Sequence, residues 1–503
     1  MRGKSLMMMG TGSSVGKSLL TSALLRIFKQ DGLKVAPFKA QNMALNSFAT
    51  AEGLEMGRAQ VVQAEAAGIV PSVRMNPVLL KPTSDRRSQV IVNGKPIGNM
   101  TAIEYHKYKP ELRRMIKETY DALEAEYDAV VIEGAGSPAE INLREGDIVN
   151  MSMANAADAP VILIGDIDLG GVFASLYGTV MLLSEAERLR IKGVIINKFR
   201  GDGRILQPGL KMLEDLIHIP VVGVVPMLDI DMEDEDGVSE RFKRTLGEGA
   251  VQVCVVRLPH ISNFTDFNPI SREEGVSVYY AEGADALSGA DIIILPGTKN
   301  TIEDLLHIKQ NGVADAVIRH AKRGGLVIGV CGGYQMLGEM LYDPEHSESR
   351  LPEIAGLGLL PVTTTFHQEK ITEQSLGEVR CEAGFLQSLN GLRLDGYEIH
   401  SGKMTFLEGA LPFLYIHGQD MPDGMMNRAG TVFGTHLHGL FDQGHLWRTI
   451  VNHVREGKGL SALQGSIQTM TEFREREFDR LADLVRQSLD MQKVYRILRG
   501  EAL

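Results

Sequence analysis

Cysteine is scarce in this chain, and the scarcity excludes two kinds of structural site. The 503 residues include only three cysteines, Cys254, Cys331 and Cys381, which stand far apart in the sequence. This supply and spacing allow neither a disulfide framework nor a cysteine-bound zinc cluster. A chain without disulfides is typical of a reducing compartment, so we expect the protein to be cytoplasmic.

The chain also lacks long apolar runs and an excess of basic residues. No uncharged apolar run reaches the roughly 18 residues that a transmembrane helix needs. With 52 basic and 64 acidic residues the formal net charge is -12, which argues against nucleic acid or an anionic membrane as a partner. The opening residues MRGKSLMMMG lead directly into a glycine-rich turn, so they predict a buried strand rather than a signal peptide.

What is present is an ordinary globular composition in a chain too long for one hydrophobic core. Short apolar runs alternate with helical patterns in two stretches, which predicts two α/β domains, the first with a doubly wound parallel sheet. The predicted strands are Leu6–Met9, Val35–Ala36, Ala129–Ile132, Val161–Gly165, Gly193–Ile196, Val221–Val225, Val251–Val256, Ile292–Leu295, Leu326–Val330 and Thr431–Gly434. The predicted boundaries are 1–235 for the first domain, 236–250 for an acidic linker, 251–445 for the second domain and 446–503 for a helical C-terminal extension.

A glycine-rich turn between the first strand and the first helix is typical of a phosphate-binding loop. In the segment GTGSSVGKS, from Gly10, the backbone N–H groups around Gly12 and Gly16 would surround an anion at a helix N-terminus. Lys17 would reach the outer phosphates of ATP, and Ser18 would offer its hydroxyl to Mg²⁺. The loop is one residue longer than the strict motif, and it resembles the dethiobiotin synthetase and MinD-like branch of P-loop proteins.

A second magnesium ligand is predicted at the end of another strand. Glu133 closes the apolar run that begins at Ala129 and precedes a glycine turn. The carboxyl ends of parallel strands share one edge of a sheet, so we expect Glu133 to lie close to the phosphate loop. Since Mg²⁺ prefers oxygen ligands, Ser18 and Glu133 are the predicted metal-binding residues.

A cysteine between a strand and a helix predicts a thiol nucleophile. Cys331 follows the apolar run Leu326–Val330 and precedes a helical pattern over residues 334–341. At such a turn we expect an exposed thiol whose pKa is lowered by the helix N-terminus. The backbone N–H groups of Gly332 and Gly297 are the predicted oxyanion hole.

Two histidines after the last predicted strand are candidates for the base that the thiol needs. The separation of His438 from Cys331 resembles that of the triad-type class I glutamine amidotransferases. Most members of that class carry a glutamate two residues after the histidine, whereas Leu440 stands there in this chain. Either a dyad suffices or another group orients the ring. The surrounding residues resemble the cobalamin-pathway subgroup, which favours His438 over His436.

Several longer segments resemble one family along almost the whole chain. They are Phe38–Met43, Met75–Pro82, Glu133–Asn142, Gly165–Gly171, Ile196–Asp202, Gly329–Gln335 and Gly396–His400. Together, and in this order, they are similar to the cobyric acid synthases, the glutamine-hydrolysing enzymes of cobalamin biosynthesis. The resemblance implies a P-loop domain of the dethiobiotin synthetase type, followed by a class I glutamine amidotransferase domain and a helical C-terminal tail.

The resemblance also implies the amidation of a corrinoid. Glutamine would release ammonia at Cys331, while ATP and Mg²⁺ would serve to phosphorylate the b, d, e and g carboxylates of adenosylcobyrinic acid a,c-diamide. Asn197 and Lys198 match the position where P-loop relatives recognise adenine. The polar residues expected near substrate are Lys39, Gln41, Asn42, Asn46, Asp147 and Asp166. The roles of His436, Glu398 and His400 stay open.

Two other functions are compatible with the motifs. The sister enzyme, cobyrinic acid a,c-diamide synthase, uses the same chemistry at the a and c side chains, but the segments Phe38–Met43 and Met75–Pro82 speak against it. The second alternative is a MinD-like regulatory P-loop ATPase with an inert amidotransferase module. The intact turn around Cys331 speaks against this alternative. The order of the amidations, the route of ammonia and the oligomeric state do not follow from the sequence.

Overall fold

The computed structural model describes residues 4–84, 87–232, 247, 249–419 and 421–502. The chain divides into two units. Unit 1 comprises Met1–Ala44, Met56–Glu235 and Arg474–Leu503, and unit 2 comprises Leu45–Glu55 and Asp236–Phe473. Most of the predicted linker at residues 236–250 lies outside the described residues.

The strands of the first stretch include every strand predicted there, each slightly longer than predicted. They are β1 (Lys4–Gly10), β2 (Val35–Phe38), β3 (Gln41–Met43), β4 (Ser47–Ala49), β5 (Glu55–Gly57), β6 (Val78–Ser84), β7 (Arg87–Val92), β8 (Lys95–Thr101), β9 (Ala129–Glu133), β10 (Val161–Asp166), β11 (Ile191–Phe199) and β12 (Val221–Pro226). The helices are α1 (Lys17–Gln30), α2 (Arg58–Ala67), α3 (Ala102–Glu124), α4 (Met151–Ala156), α5 (Val172–Leu182), α6 (Glu185–Arg188) and α7 (Gly203–Ile217).

Unit 1 is built on a parallel sheet in the order β12-β11-β10-β1-β9-β2. Along β1 the side chains alternate between two cores, with Leu6 and Met8 in one and Met7 and Met9 in the other. A strand buried on both faces is apolar at every position, which explains why the run predicts it. The predicted doubly wound sheet is confirmed.

Four neighbouring strands of this sheet bring polar residues to one edge. β1 ends at Gly10, β9 at Glu133 and β10 at Asp166, while Asn197 and Lys198 lie near the end of β11. The strand order β11-β10-β1-β9 makes these ends adjacent. Because α1 begins directly after the glycine turn, its N-terminus faces the same edge.

The strands of the second stretch include the four predicted there. They are β13 (Val251–Val256), β14 (Val276–Ala281), β15 (Ile292–Leu295), β16 (Leu326–Val330), β17 (Met340–Tyr342), β18 (Glu353–Ala355), β19 (Val362–Val379), β20 (Arg393–Phe406), β21 (Leu411–Ile416), β22 (Pro422–Met426) and β23 (Val432–Thr435). The helices are α8 (Thr301–Gln310), α9 (Val313–Lys322), α10 (Gly332–Met336), α11 (His445–Gly457), α12 (Met470–Ser488) and α13 (Met491–Leu498).

The sheet of unit 2 is mixed. Its order is β14-β13-β15-β16-β23-β22-β21-β19-β17-β18, with β20 paired to β19, and the first five strands are parallel neighbours. The carboxyl ends of β13, β15, β16 and β23 lead into the segments that carry Asp266, Gly297, Cys331 and His438. This edge therefore corresponds to the edge of unit 1 that carries the glycine turn.

The helix predicted over residues 334–341 is too long. α10 ends at Met336, and the chain enters β17 at Met340. A methyl group on Gly338 would stand 2.7 Å from the backbone oxygen of Val362. The chain turns so closely against β19 that only glycine fits at this point, and the helical pattern ends there.

The C-terminal helices complete unit 1. Leu481 and Val485 of α12 and Ile497 of α13 lie in the same core as Leu6 of β1. Burial of each such side chain contributes about 1.5–3 kcal/mol relative to exposure. In the described part of the chain, no helix combines the length and the apolar character that crossing a membrane requires.

Candidate active sites

The glycine turn between β1 and α1 is held in a closed shape by its own lysine. Lys17 Nζ donates to the backbone oxygens of Gly12 (2.8 Å) and Gly136 (3.3 Å). Gly16 has φ +96°, and a methyl group there would stand 2.2 Å from Asn197 Nδ2. Only glycine can take this conformation in this space. The predicted loop residues therefore lie together, with the lysine folded onto the turn.

Glu133 lies at the centre of a polar cluster beside this turn. Ser18 Oγ and Lys39 Nζ donate to its Oε1 at 2.8 and 3.0 Å, and Gln63 Nε2 donates to its Oε2 at 2.5 Å. The carboxylate is fully buried. A buried carboxylate is tolerable only with such partners, so these residues form one interdependent group.

The oxygens of Ser18 and Glu133 suit a magnesium ion. Mg²⁺ commonly takes one or two carboxylates and completes its shell with substrate phosphates and water. Among the residues that the structure describes, no group of three or more His, Cys, Asp or Glu side chains forms another metal site. The donor set fits an ion that arrives with nucleotide phosphates rather than one caged by protein alone.

Asn197, Lys198 and Asp166 surround the glycine turn. Asn197 Nδ2 donates to Val15 O at 2.8 Å. Lys198 Nζ donates to Ser14 O and to Asp166 Oδ2, both at 2.7 Å. Asn197 and Lys198 therefore hold the backbone of the loop, and Asp166 holds the Lys198 ammonium group. Adenine recognition by Asn197 and Lys198 stays a prediction.

The other substrate candidates of unit 1 have local partners. Gln41 Oε1 accepts from the hydroxyl of Tyr105 at 2.6 Å, and Asn42 Nδ2 donates to Gln60 Oε1 at 3.1 Å. The carboxylate of Asp147 accepts from three backbone N–H groups at the start of α4, at 2.8–2.9 Å. Asp147 thereby acts as a helix cap, whereas Lys39 is the candidate that reaches Glu133.

Cys331 stands on a strained turn and is buried. Its φ is +51°, and its exposed fraction is 7%. The expectation of an exposed thiol is therefore wrong. The turn is tightly packed: a methyl group on Gly333 would stand 2.0 Å from Leu295 O, and the sulfur lies 3.6 Å from Ile399 O. Such strain in a non-glycine residue is typical of a functional position.

Cys331 hydrogen-bonds to His438, and His438 in turn contacts a carboxylate. His438 Nδ1 lies 2.6 Å from Asp266 Oδ2, which leaves Nε2 for the sulfur. Asp266 Oδ1 accepts from the backbone N–H of Gly439 at 3.3 Å. The three side chains, all buried, form a thiol–imidazole–carboxylate series.

Sequence reasoning missed Asp266, because it sought the orienting carboxylate two residues after the histidine. Asp266 lies instead in a short 3₁₀ turn, Phe264–Phe267, after β13. One sequence signal does point to it: a carboxylate between two phenylalanines, Phe264 and Phe267, beyond the carboxyl end of a buried strand.

The charges in this series shift two pKa values in opposite directions. Burial alone would raise the pKa of the Cys331 thiol, but the hydrogen bond to His438 and the charges of His438 and His436 lower it below its usual value. Burial alone would lower the pKa of His438, but the charge and hydrogen bond of Asp266 raise it to about 10. At pH values between the pKa of Cys331 and that of His438, the two side chains therefore form a thiolate–imidazolium pair.

A second buried histidine cluster lies beside the thiol. His436 Nδ1 is 2.6 Å from Asp423 Oδ1, and its ring stacks on His400 with 3.9 Å between centroids. His400 Nε2 lies 3.5 Å from Glu398 Oε1. Burial opposes protonation of His436, yet Asp423 raises its pKa. His436 thus acts on Cys331 through its charge, whereas His438 contacts the thiol.

The two glycines predicted for the oxyanion hole border the same site. The N–H of Gly332 points at the sulfur and helps to lower the pKa of Cys331. A methyl group on Gly297 would stand 3.4 Å from His438 Cε1. Their service as an oxyanion hole stays a prediction.

The other two cysteines differ from Cys331. Burial raises the pKa of Cys254 to about 12 and that of Cys381 to about 11, which makes both thiols unreactive.

Comparison with known proteins covers nearly the whole chain. Residues 6–236 match the CobQ/CobB/MinD/ParA nucleotide binding domain, and residues 252–446 match the CobB/CobQ-like glutamine amidotransferase domain. The cobyric acid synthase of Alkaliphilus metalliredigens is 54% identical over 99% of this chain and 100% of its own length. The chain belongs to the cobyric acid synthase family. The cobyric acid synthase of a Thermoanaerobacter species is 52% identical over 98% of both chains.

Membership of the cobyric acid synthase family makes this chain a glutamine-hydrolysing carbon–nitrogen ligase. The two predicted domain types, a P-loop nucleotide-binding domain and a glutamine amidotransferase domain, are confirmed. A solved glutamine amidotransferase structure with 17% identity covers 41% of this chain and 99% of its own, at a TM-score of 0.30.

Proposed function

We propose that the enzyme converts adenosylcobyrinic acid a,c-diamide to adenosylcobyric acid by amidating the b, d, e and g carboxylates. One observation supports the proposal: the same chain carries both a phosphate loop with Glu133 beside it and a buried Cys331–His438–Asp266 series. The first activates a carboxylate with ATP. The second supplies ammonia from glutamine.

At the phosphate loop a carboxylate oxygen of the corrinoid attacks the γ-phosphorus of ATP, giving an acyl phosphate and ADP. Ammonia then adds to the acyl carbon, and phosphate leaves with the carboxylate oxygen. Lys17 and the backbone N–H groups of the turn stabilise charge on the transferring phosphoryl group. A magnesium ion held by Ser18 and Glu133 would add further charge neutralisation when bound.

At the thiol site the Cys331 thiolate attacks the side-chain amide carbon of glutamine. The N–H groups of Gly332 and Gly297 donate hydrogen bonds to the developing oxyanion, and His438 gives its proton to the departing ammonia. Water then hydrolyses the thioester to glutamate. Asp266 keeps the imidazole in the tautomer and orientation that this transfer requires.

Replacement of Asp266 by asparagine is expected to lower the glutaminase kcat by roughly 10²–10⁴-fold, because the ring loses its orienting charge. Loss of that charge also lowers the pKa of His438, so the pKa of Cys331 rises. The rate of Cys331 alkylation by iodoacetamide, measured against pH, should therefore have a midpoint at higher pH than in the wild type. The exposed Asp285→Asn variant is the control and should match the wild type. An unchanged alkylation profile in Asp266→Asn would contradict the role of this carboxylate.

The identity of the substrate is tested by two parallel incubations. With ATP, Mg²⁺ and glutamine, the a,c-diamide should gain four amides, each detected by mass spectrometry as a change of about one mass unit. Cobyrinic acid itself should be a poor substrate. Amidation of cobyrinic acid alone, at the a and c positions, would instead identify the sister activity.

We further propose residues 1–235 as the ATP-dependent amide synthetase domain and residues 251–445 as the glutaminase domain. Residues 446–503 are proposed as the helical extension. We assign Asn197 and Lys198 to ATP binding, and Lys39 and Asp166 to the region that meets the corrinoid carboxylate. We expect the enzyme to act in the cytoplasm on small molecules only.

A further inference from the structure

One short piece of the N-terminal sequence belongs to the amidotransferase unit. Residues 45–55, here called the inserted hairpin, cluster with unit 2, although Ala44 and Met56 on either side of it belong to unit 1. The hairpin pairs β4 with β5, and Thr50 N donates to Leu54 O at 2.7 Å to close its turn. No motif in the sequence predicts that residues 45–55 join unit 2.

The inserted hairpin is fixed to β19 by buried polar contacts. Glu55 Oε2 pairs with Lys370 Nζ at 2.5 Å, and Glu55 Oε1 accepts from Ser47 Oγ at 2.7 Å. Gln374 Nε2 donates to the backbone oxygen of Ala49. Because Glu55 is buried, loss of these contacts would leave a charge without compensation. The hairpin therefore has a defined position on unit 2.

This position places the hairpin against the residues that hold His438. The ring of Tyr397 stacks on the imidazole of His438, with 5.1 Å between centroids and 17° between planes. The two residues also exchange backbone hydrogen bonds, of 2.9 and 3.3 Å. The tyrosine also contacts the hairpin: the centroid of the Phe48 ring lies 4.8 Å from that of Tyr397, and the Tyr397 hydroxyl donates to Ser47 O at 3.3 Å.

Asn263 provides a second path between the hairpin and His438. Its Oδ1 accepts from Ser47 N at 3.0 Å, while its Nδ2 donates to the Tyr397 hydroxyl at 3.3 Å and lies 3.5 Å from His438 Nδ1. Asn263 is buried and has φ +51°, and it precedes the turn that carries Asp266. Ser47 thus contacts both Asn263, which lies beside Nδ1 of the imidazole, and Tyr397, which stacks on its ring.

An amide at the start of the hairpin lacks partners. Asn46 is 1% exposed, and among the described residues neither its Oδ1 nor its Nδ2 has a hydrogen-bond partner. A buried amide with both groups unpaired is unfavourable, so the side chain of Asn46 calls for a partner that the described residues do not supply.

We propose that Tyr397 and Asn263 are positioning residues for His438, and that the inserted hairpin sets their position through Ser47 and Phe48. The proposal rests on the proposed glutaminase function of Cys331 and His438.

The test compares Tyr397→Phe, Phe48→Ala and Phe48→Tyr with the wild type, and uses Tyr177→Phe, a half-exposed tyrosine of α5, as the matched control. Glutamate release is measured with and without ATP and a,c-diamide, and ammonia-dependent amidation is measured in the same preparations. Tyr397→Phe keeps the ring and removes only the hydroxyl, so it is the variant least expected to disturb folding.

Tyr397→Phe and Phe48→Ala are expected to lower the glutaminase kcat about 10-fold, with the KM for glutamine within about 2-fold. Phe48→Tyr should restore kcat, and ammonia-dependent amidation should stay near wild type throughout. Wild-type kcat in both Tyr397→Phe and Phe48→Ala would overturn the hairpin proposal alone. Absence of Cys331-dependent glutaminase in the wild type would overturn the proposed function, and the hairpin proposal with it.

Discussion

Replacement of Cys331 by alanine is expected to reduce glutamine-dependent amidation by at least about 10³-fold, while ammonia-dependent amidation stays within about 2-fold of wild type. The reason is chemical. The thiolate is the only nucleophile in the Cys331–His438–Asp266 series, whereas externally supplied ammonia does not need a thioester. Product formation with each nitrogen source, followed by mass spectrometry of the corrinoid, is the measurement.

The Cys381→Ala variant is the control for loss of a thiol. Burial raises the pKa of Cys381 to about 11, so its removal should leave both activities unchanged. If Cys331→Ala lost ammonia-dependent amidation as well, the two sites would not be chemically separate. If it kept glutamine-dependent amidation, the thiol site would be inert, as in the regulatory alternative.

Replacement of Lys17 by alanine is expected to reduce amidation by roughly 10²–10³-fold with either nitrogen source. Its ammonium group contacts the backbone of the glycine turn at 2.8 and 3.3 Å and is the cation of the loop best placed to meet transferring phosphate. Phosphate release and amide formation should fall together, because both follow from phosphoryl transfer.

The matched control for Lys17→Ala is Lys211→Ala on the surface of α7, where the lysine pairs with Asp215. It should behave as the wild type, since solvent screens such an exposed ion pair almost completely. Normal ammonia-dependent amidation in Lys17→Ala would refute the assigned role of the phosphate loop.

The parallel strands and the residues that follow them were predictable because they obey simple local rules. A strand covered on both faces is apolar throughout, and the loops beyond its carboxyl end collect the polar residues. Glu133 and Cys331 both stand at such ends, so their meeting with Ser18 and His438 follows from strand order. The resemblance to a known family additionally predicted the types of the two domains.

The rest depends on contacts that no local pattern encodes. β19 and β20 alternate buried residues with partly or fully exposed ones along much of their length, so they do not form the apolar runs that marked the other strands. Cys331 is buried because glycines let the chain pack closely around its turn. Asp266 and the inserted hairpin reach His438 only through tertiary packing, from positions 172 and about 390 residues earlier in the chain.

A doubly labelled reaction tests most directly whether amidation proceeds through an acyl phosphate with nitrogen from glutamine. The a,c-diamide carries ¹⁸O in its free carboxylates, glutamine carries ¹⁵N in its amide, and the phosphate and the corrinoid are both analysed by mass spectrometry. The acyl-phosphate mechanism predicts one ¹⁸O in inorganic phosphate for each ¹⁵N that enters the corrinoid, since an acyl phosphate gives up the carboxylate oxygen when ammonia attacks. Amide formation from glutamine without ¹⁸O in phosphate would contradict it.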